Sequence, residues 1–163
     1  MLHRSLTSFL ALFLVSCGSK TPTATVLDYG TYDAVVLTSG KWQLGIPVTI
    51  ESVTAVTHRE TVSRVPTGDG RYWGFRARLQ NPRHRTVEGR YTVDHPEITA
   101  PDGTKSTTES HQFVLEPGDS IETRFLWYFI EGCEHEFVPG TWTQRIFLDG
   151  HEVIRKTFEI YKP

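Results

Sequence analysis

The chain has 163 residues, with 17 basic and 19 acidic side chains and a formal charge of −2. That balance gives no broad cationic field and argues against nucleic acid as a partner. Two cysteines exclude a disulfide-stapled scaffold, and the length suits one domain with a core of its own.

The first residues read as an export signal. Met1 to Arg4 form a short basic start, and residues 6–15 are apolar apart from Thr7 and Ser8. The run is too short for a bilayer, which needs about 20 apolar residues. Leu14, Val15 and Ser16 stand directly before Cys17. Aliphatic residues and then a small residue ahead of a cysteine are the pattern of a bacterial lipobox. Residues 1–16 are therefore expected to be cleaved, and Cys17 to carry the lipid. Secretion with a free Cys17 is the competing reading. Acyl chains hold a protein at a membrane through burial of their methylenes, at about 0.8 kcal/mol each. Gly18, rather than an acid, follows the cysteine, which points to the periplasmic face of the outer membrane. Residues 17–25 read as a lipidated cysteine and polar tether, and 26–163 as the folded domain.

From there period-two alternation dominates, and it predicts an all-β, antiparallel sandwich. The predicted strands are 26–37, 48–57, 60–66, 72–80, 87–95, 107–114, 120–130, 141–149 and 152–161. Trp73, Phe75, Ala77 and Leu79 share one face, with Arg76 and Arg78 on the other. The strand over 120–130 is partly apolar on both faces, which reads as central. Ile154, Phe158 and Ile160 share a face on which Lys156 is a misfit. Asp149-Gly150 is a tight-hairpin signal, and Pro101-Asp102-Gly103, Pro117-Gly118 and Pro139-Gly140 mark further turns. Two facing sheets bury the aromatic faces that one sheet would leave wet.

Several landmarks carry a family resemblance. Phe137-Val138-Pro139-Gly140-Thr141-Trp142 leads to Asp149-Gly150 and then to Phe158-Glu159-Ile160-Tyr161. Gly30-Thr31-Tyr32, Val65-Pro66, Gly70-Arg71-Tyr72-Trp73-Gly74-Phe75 and His95-Pro96 precede them. Together, over roughly 26–163, they resemble an exported bacterial family known by a domain of unknown function. The resemblance implies an immunoglobulin-like sandwich and export, and no reaction or catalytic residue. Physically, Gly74 suits a close backbone approach, Pro96 ends a strand for want of an N–H, and Trp142 caps one end of the core.

Chemical signals are sparse. Cys133-Glu134-His135-Glu136 is the densest group of possible ligands. Read as a strand, it points Cys133 and His135 the same way, and His95 or His111 could complete a zinc or copper site. That is the alternative reading, a small periplasmic metal-binding protein or hydrolase. With no paired-cysteine spacing and no His-Glu-x-x-His, the expectation is no metal, no cofactor and no catalysis. Once Cys17 carries lipid, Cys133 has no partner for an internal disulfide, and burial is its simplest fate. The carboxylates Glu97, Asp102, Glu109, Glu116 and Asp119 fall mostly in turns, where acids are solvated and satisfy local N–H groups. Arg71, Arg76, Arg78, Arg83, Arg85 and Arg90 form a candidate binding patch for phosphates or an acidic partner, or else a face of cross-strand ion pairs. The sequence thus reads as a lipid-anchored, non-catalytic envelope module. Its partners are the bilayer through Cys17 and an envelope protein or glycan met by loops near 66–70, 81–85 and 130–136.

Overall fold

The computed structural model describes residues 20–40, 50–68, 70–129 and 132–163. The cleaved segment 1–16 and the lipidated Cys17 expected from the sequence lie outside them. Nine strands follow in order: β1 (Thr23–Gly40), β2 (Ile50–Glu60), β3 (Arg64–Pro66), β4 (Arg71–Gln80), β5 (Val87–Thr99), β6 (Lys105–Leu115), β7 (Ser120–Phe129), β8 (Gly140–Leu148) and β9 (His151–Tyr161). A short 3-10 turn, Glu134–Glu136, lies between β7 and β8. The strands form two sheets, β2-β1-β4-β7 and β3-β9-β8-β5-β6.

The alternation seen in the sequence builds the core between them. Trp73, Phe75, Ala77 and Leu79 of β4 are fully buried and face Trp142, Ile146, Phe158 and Ile160 of the other sheet. Trp73 meets Trp142 edge-on at 5.5 Å and Phe158 at 5.1 Å, the arrangement that ring quadrupoles favour. Trp142 is wholly enclosed within the aromatic cluster, two rungs from the start of β8, and its indole N–H donates to the Val138 carbonyl at 3.0 Å. Lys156, the misfit, lays its ammonium over the Tyr29 ring at 2.9 Å and so keeps its place on an inward face.

Four expectations are revised. β1 starts at Thr23, so sheet pairing begins within the stretch read as tether. β3 pairs with β9 in parallel, so the sandwich is not wholly antiparallel. β7 is an edge strand; its outward Tyr128 stacks on Tyr72 of β4 at 5.2 Å, which explains the apolar character of both faces. β5 runs through Pro96, because a register shift between Asp94 and Ile98 places the proline where no ladder N–H is needed.

Gly30 of β1 faces Gly74 of β4 across a ladder rung, and both have positive φ, 130° and 146°. A Cβ on Gly74 would stand 2.1 Å from the Phe125 carbonyl oxygen, so the close approach read from the sequence is real.

One buried amide organises the end where β4, β6 and β7 meet. The Asn81 side chain donates to the carbonyls of Arg85 (2.8 Å), Leu115 (3.0 Å) and Glu116 (3.0 Å), and accepts from Arg83 N–H (3.1 Å). Asn81 is 0 % exposed, so losing the amide strands several acceptors at once. Asn81→Ala is expected to cost about 3 kcal/mol, at roughly 1–3 kcal/mol per unmatched buried group. Circular dichroism melting checks this as a fall in Tm of about 6–12 °C.

Candidate functional site

The sandwich has two ends, and strand direction assigns residues to each. One end carries Lys20, the β4–β5 connection, the β6–β7 turn and the β8–β9 turn. Thr23, Gln80 and Ser120 share its last rungs. The opposite end carries the β5–β6 turn, the 3-10 turn and the exit of β9. Beyond the Tyr32–Tyr72 rung, residues 33–40 of β1 pair with β2 alone.

At the first end, Arg83 and Arg85 both bind the Asp149 carboxylate, Arg85 at 2.6 Å. Those hydrogen bonds, led by Arg85, hold the Asp149 carboxyl below the ordinary range. The Arg83 Nε also donates to the Lys20 carbonyl at 3.0 Å, so the start of the described chain is fastened to this corner. Asp149 has φ 49°, the left-handed turn that its Asp-Gly sequence suits.

At the other end the seam between edge strands β6 and β7 holds an acid and imidazole cluster. Glu109 projects from β6 on the same face as His111 and Phe113, toward the interior. Glu136, 8 % exposed, comes from the 3-10 turn. His111 Nε2 lies 3.9 Å from Glu109, and His135 Nε2 lies 3.8 Å from Glu136. His95, in the β5 bulge, stacks 4.9 Å from Trp142 and uses Nδ1 at 2.8 Å from the Pro96 carbonyl. Its Nε2, the Tyr91 hydroxyl, the Trp127 indole nitrogen and both Gln144 amide atoms are buried and find no partner among the described residues. Burial, and then the Glu109 charge, push the Glu136 carboxyl up to about 7. Burial raises Glu109 too, against the opposing pull of His95 and His111. A carboxyl raised into this range is partly protonated near pH 7, and its protonated form can donate a hydrogen bond.

The metal alternative does not fit this geometry. Residues 134–136 form a 3-10 turn, not a strand, so Cys133 and His135 do not share a strand face. Among the described residues no group of three His, Cys, Asp or Glu side chains is placed to hold a metal ion. Cys133 is a half-buried thiol.

The six arginines do not form one patch. Arg76 and Arg78 share the outer face of the first sheet. Arg76 is clamped to Asp28, with Nε at 2.8 Å, and Arg78 pairs with Glu122 at 2.5 Å. Arg90 lies on the other sheet, its guanidinium 4.4 Å over the Phe147 ring. Only Arg83 and Arg85 are brought together; the side chain of Arg71 lies outside the described residues. The sequence reading missed the pairing of Glu109 with Glu136. Alternation along β6 carries the signal, since Glu109, His111, Phe113 and Leu115 are two residues apart and share a face.

Two facing sheets around an aromatic core, with loops gathered at both ends, define an immunoglobulin-like sandwich. The chain belongs to the family described as a domain of unknown function (DUF3859), whose model matches residues 20–160. The structure is similar to that of an immunoglobulin-like protein from Pseudomonas aeruginosa, with TM-score 0.63 and 17% identity over 88% of this chain and 99% of that one. A further structure, an alkylpurine DNA glycosylase of Pseudomonas fluorescens bound to DNA, aligns with TM-score 0.42 and 14% identity over 62% of this chain and 28% of that one. No curated protein matches the sequence.

Proposed function

We propose that the chain is a lipid-anchored, non-catalytic binding module of a bacterial envelope. Acyl chains on Cys17 fasten the sandwich to a membrane, and its loops engage an envelope protein or glycan. The observation that carries this reading is the placing of a lipobox cysteine six residues ahead of β1, whose first residue is Thr23. A signal that ends on an acylated cysteine so close to a folded sandwich leaves room for an anchor and little else. Sandwiches of this architecture recognise partners through end loops held by a rigid frame, which supports binding over catalysis. Fold alone assigns no activity, so the anchor carries the argument.

The test is a mass and a fractionation. The mature protein is expected to begin at Cys17 with a diacylglycerol mass on it and to sediment with membranes. Cys17→Ser is expected to release it to the soluble fraction. An unmodified amino terminus, or a serine variant still bound to membranes, overturns the reading.

A further inference from the structure

We infer that the end of the sandwich bearing residues 81–86, 116–119 and 149–150 lies against phospholipid headgroups, with Lys20, Arg83 and Arg85 facing their phosphates. The inference rests on the acylation of Cys17 proposed above and adds which surface the anchor brings to the membrane. Only two residues, Gly18 and Ser19, separate Cys17 from Lys20, three chain steps that reach about 10 Å when extended. Lys20 is itself fixed to the body by the Arg83 hydrogen bond at 3.0 Å, and β1 runs away from it toward the opposite end. A tether that short holds this end at the headgroups and keeps the 3-10 turn about a sandwich length away.

The charge of the same corner is independent support. Arg83 and Arg85 share one carboxylate, Asp149, and Lys20, whose backbone carbonyl accepts from Arg83, adds a third cation to the corner. The Arg85 side chain is 60 % exposed, and His84 beside it is exposed. Two guanidiniums sharing one carboxylate keep free N–H donors, and the guanidinium fork matches phosphate oxygens. Both acids of the 116–119 turn are engaged locally: Asp119 accepts the Glu116 backbone N–H at 2.7 Å, and the Glu116 carboxylate accepts from the Thr86 hydroxyl at 3.3 Å. The Asn81 bonds keep the 81–86 connection in shape, so the surface is preformed.

The test uses full-length acylated protein in vesicles of phosphatidylethanolamine and phosphatidylglycerol carrying a headgroup quencher. An environment-sensitive fluorophore is placed at His84→Cys or at Gly103→Cys, each in a Cys133→Ser background. Gly103 lies in the β5–β6 turn at the opposite end. Quenching at position 84 is expected to exceed that at 103 at least threefold. With Lys20→Glu and Arg85→Glu together, that ratio is expected to fall at least twofold. Acylated protein that floats with the vesicles but is quenched equally at both positions overturns the orientation and leaves the anchor standing. A ratio unmoved by the charge reversals overturns the phosphate contacts. Protein that carries no lipid and does not float overturns the anchor, and the orientation with it.

Discussion

Gly74→Ala is expected to destabilise the fold by about 4 kcal/mol, combining overpacking of roughly 1–3 kcal/mol with backbone strain of similar size. The new Cβ would stand 2.1 Å from the Phe125 carbonyl oxygen and 3.1 Å from the Gln144 side chain. β7 cannot retreat easily, because it is registered against β4 from the Arg71–Phe129 rung to the Gln80–Ser120 rung. The φ of 146° adds strain that an alanine does not relieve. Thermal unfolding should show a fall in Tm of about 8–16 °C. Gly103→Ala, with nothing within 4 Å of its Cβ, is the control and should cost only about 1 kcal/mol. Equal losses at the two sites would remove close packing as the cause.

Glu136→Gln is expected to flatten the dependence of stability on pH. The Glu136 carboxyl is raised from 4.5 to about 7, first by burial and then by Glu109. An acid whose folded-state pKa lies above its unfolded value favours folding at low pH. That contribution is lost as pH rises from about 4.5 through about 7. The turn packs against β5; Glu109 is the charge that acts on Glu136, and His135 lies on the turn itself. These groups remain in the variant, so the difference between the two curves reports Glu136 together with its coupling to Glu109. Between pH 5 and pH 8 the native protein should lose roughly 2 kcal/mol more than the glutamine variant, after discount for solvent screening. Urea unfolding at each pH measures this, and parallel curves would contradict it.

Much of the fold was legible because period two survives wherever one face is buried. All nine expected strands exist, and the Asp149-Gly150 hairpin and the Gly74 approach are where the residues put them. What alternation cannot encode is which strands share a sheet. β4 and β5 are neighbours in sequence but lie in opposite sheets, so Arg76 and Arg90 point away from each other. The same gap hid the parallel β3–β9 pairing and the edge position of β7. Glu109 and Glu136 are far apart in the chain and come near each other only through the packing of the 3-10 turn against β5; no local spacing announces that. Arg83 and Arg85 were legible as charges, but their convergence on Asp149 depends on the β8–β9 turn reaching the β4–β5 connection.

The described chain enters at the Asp149 end of the sandwich and leaves, after Tyr161, at the other. Force applied between the two termini therefore runs along β1 and β9 instead of across them. Their ladders to β4 and β8 are loaded in shear, with many rungs resisting together, where a perpendicular pull would unzip them singly. A sandwich entered at one end and left at the other is in this way arranged to bear tension along its strands without opening.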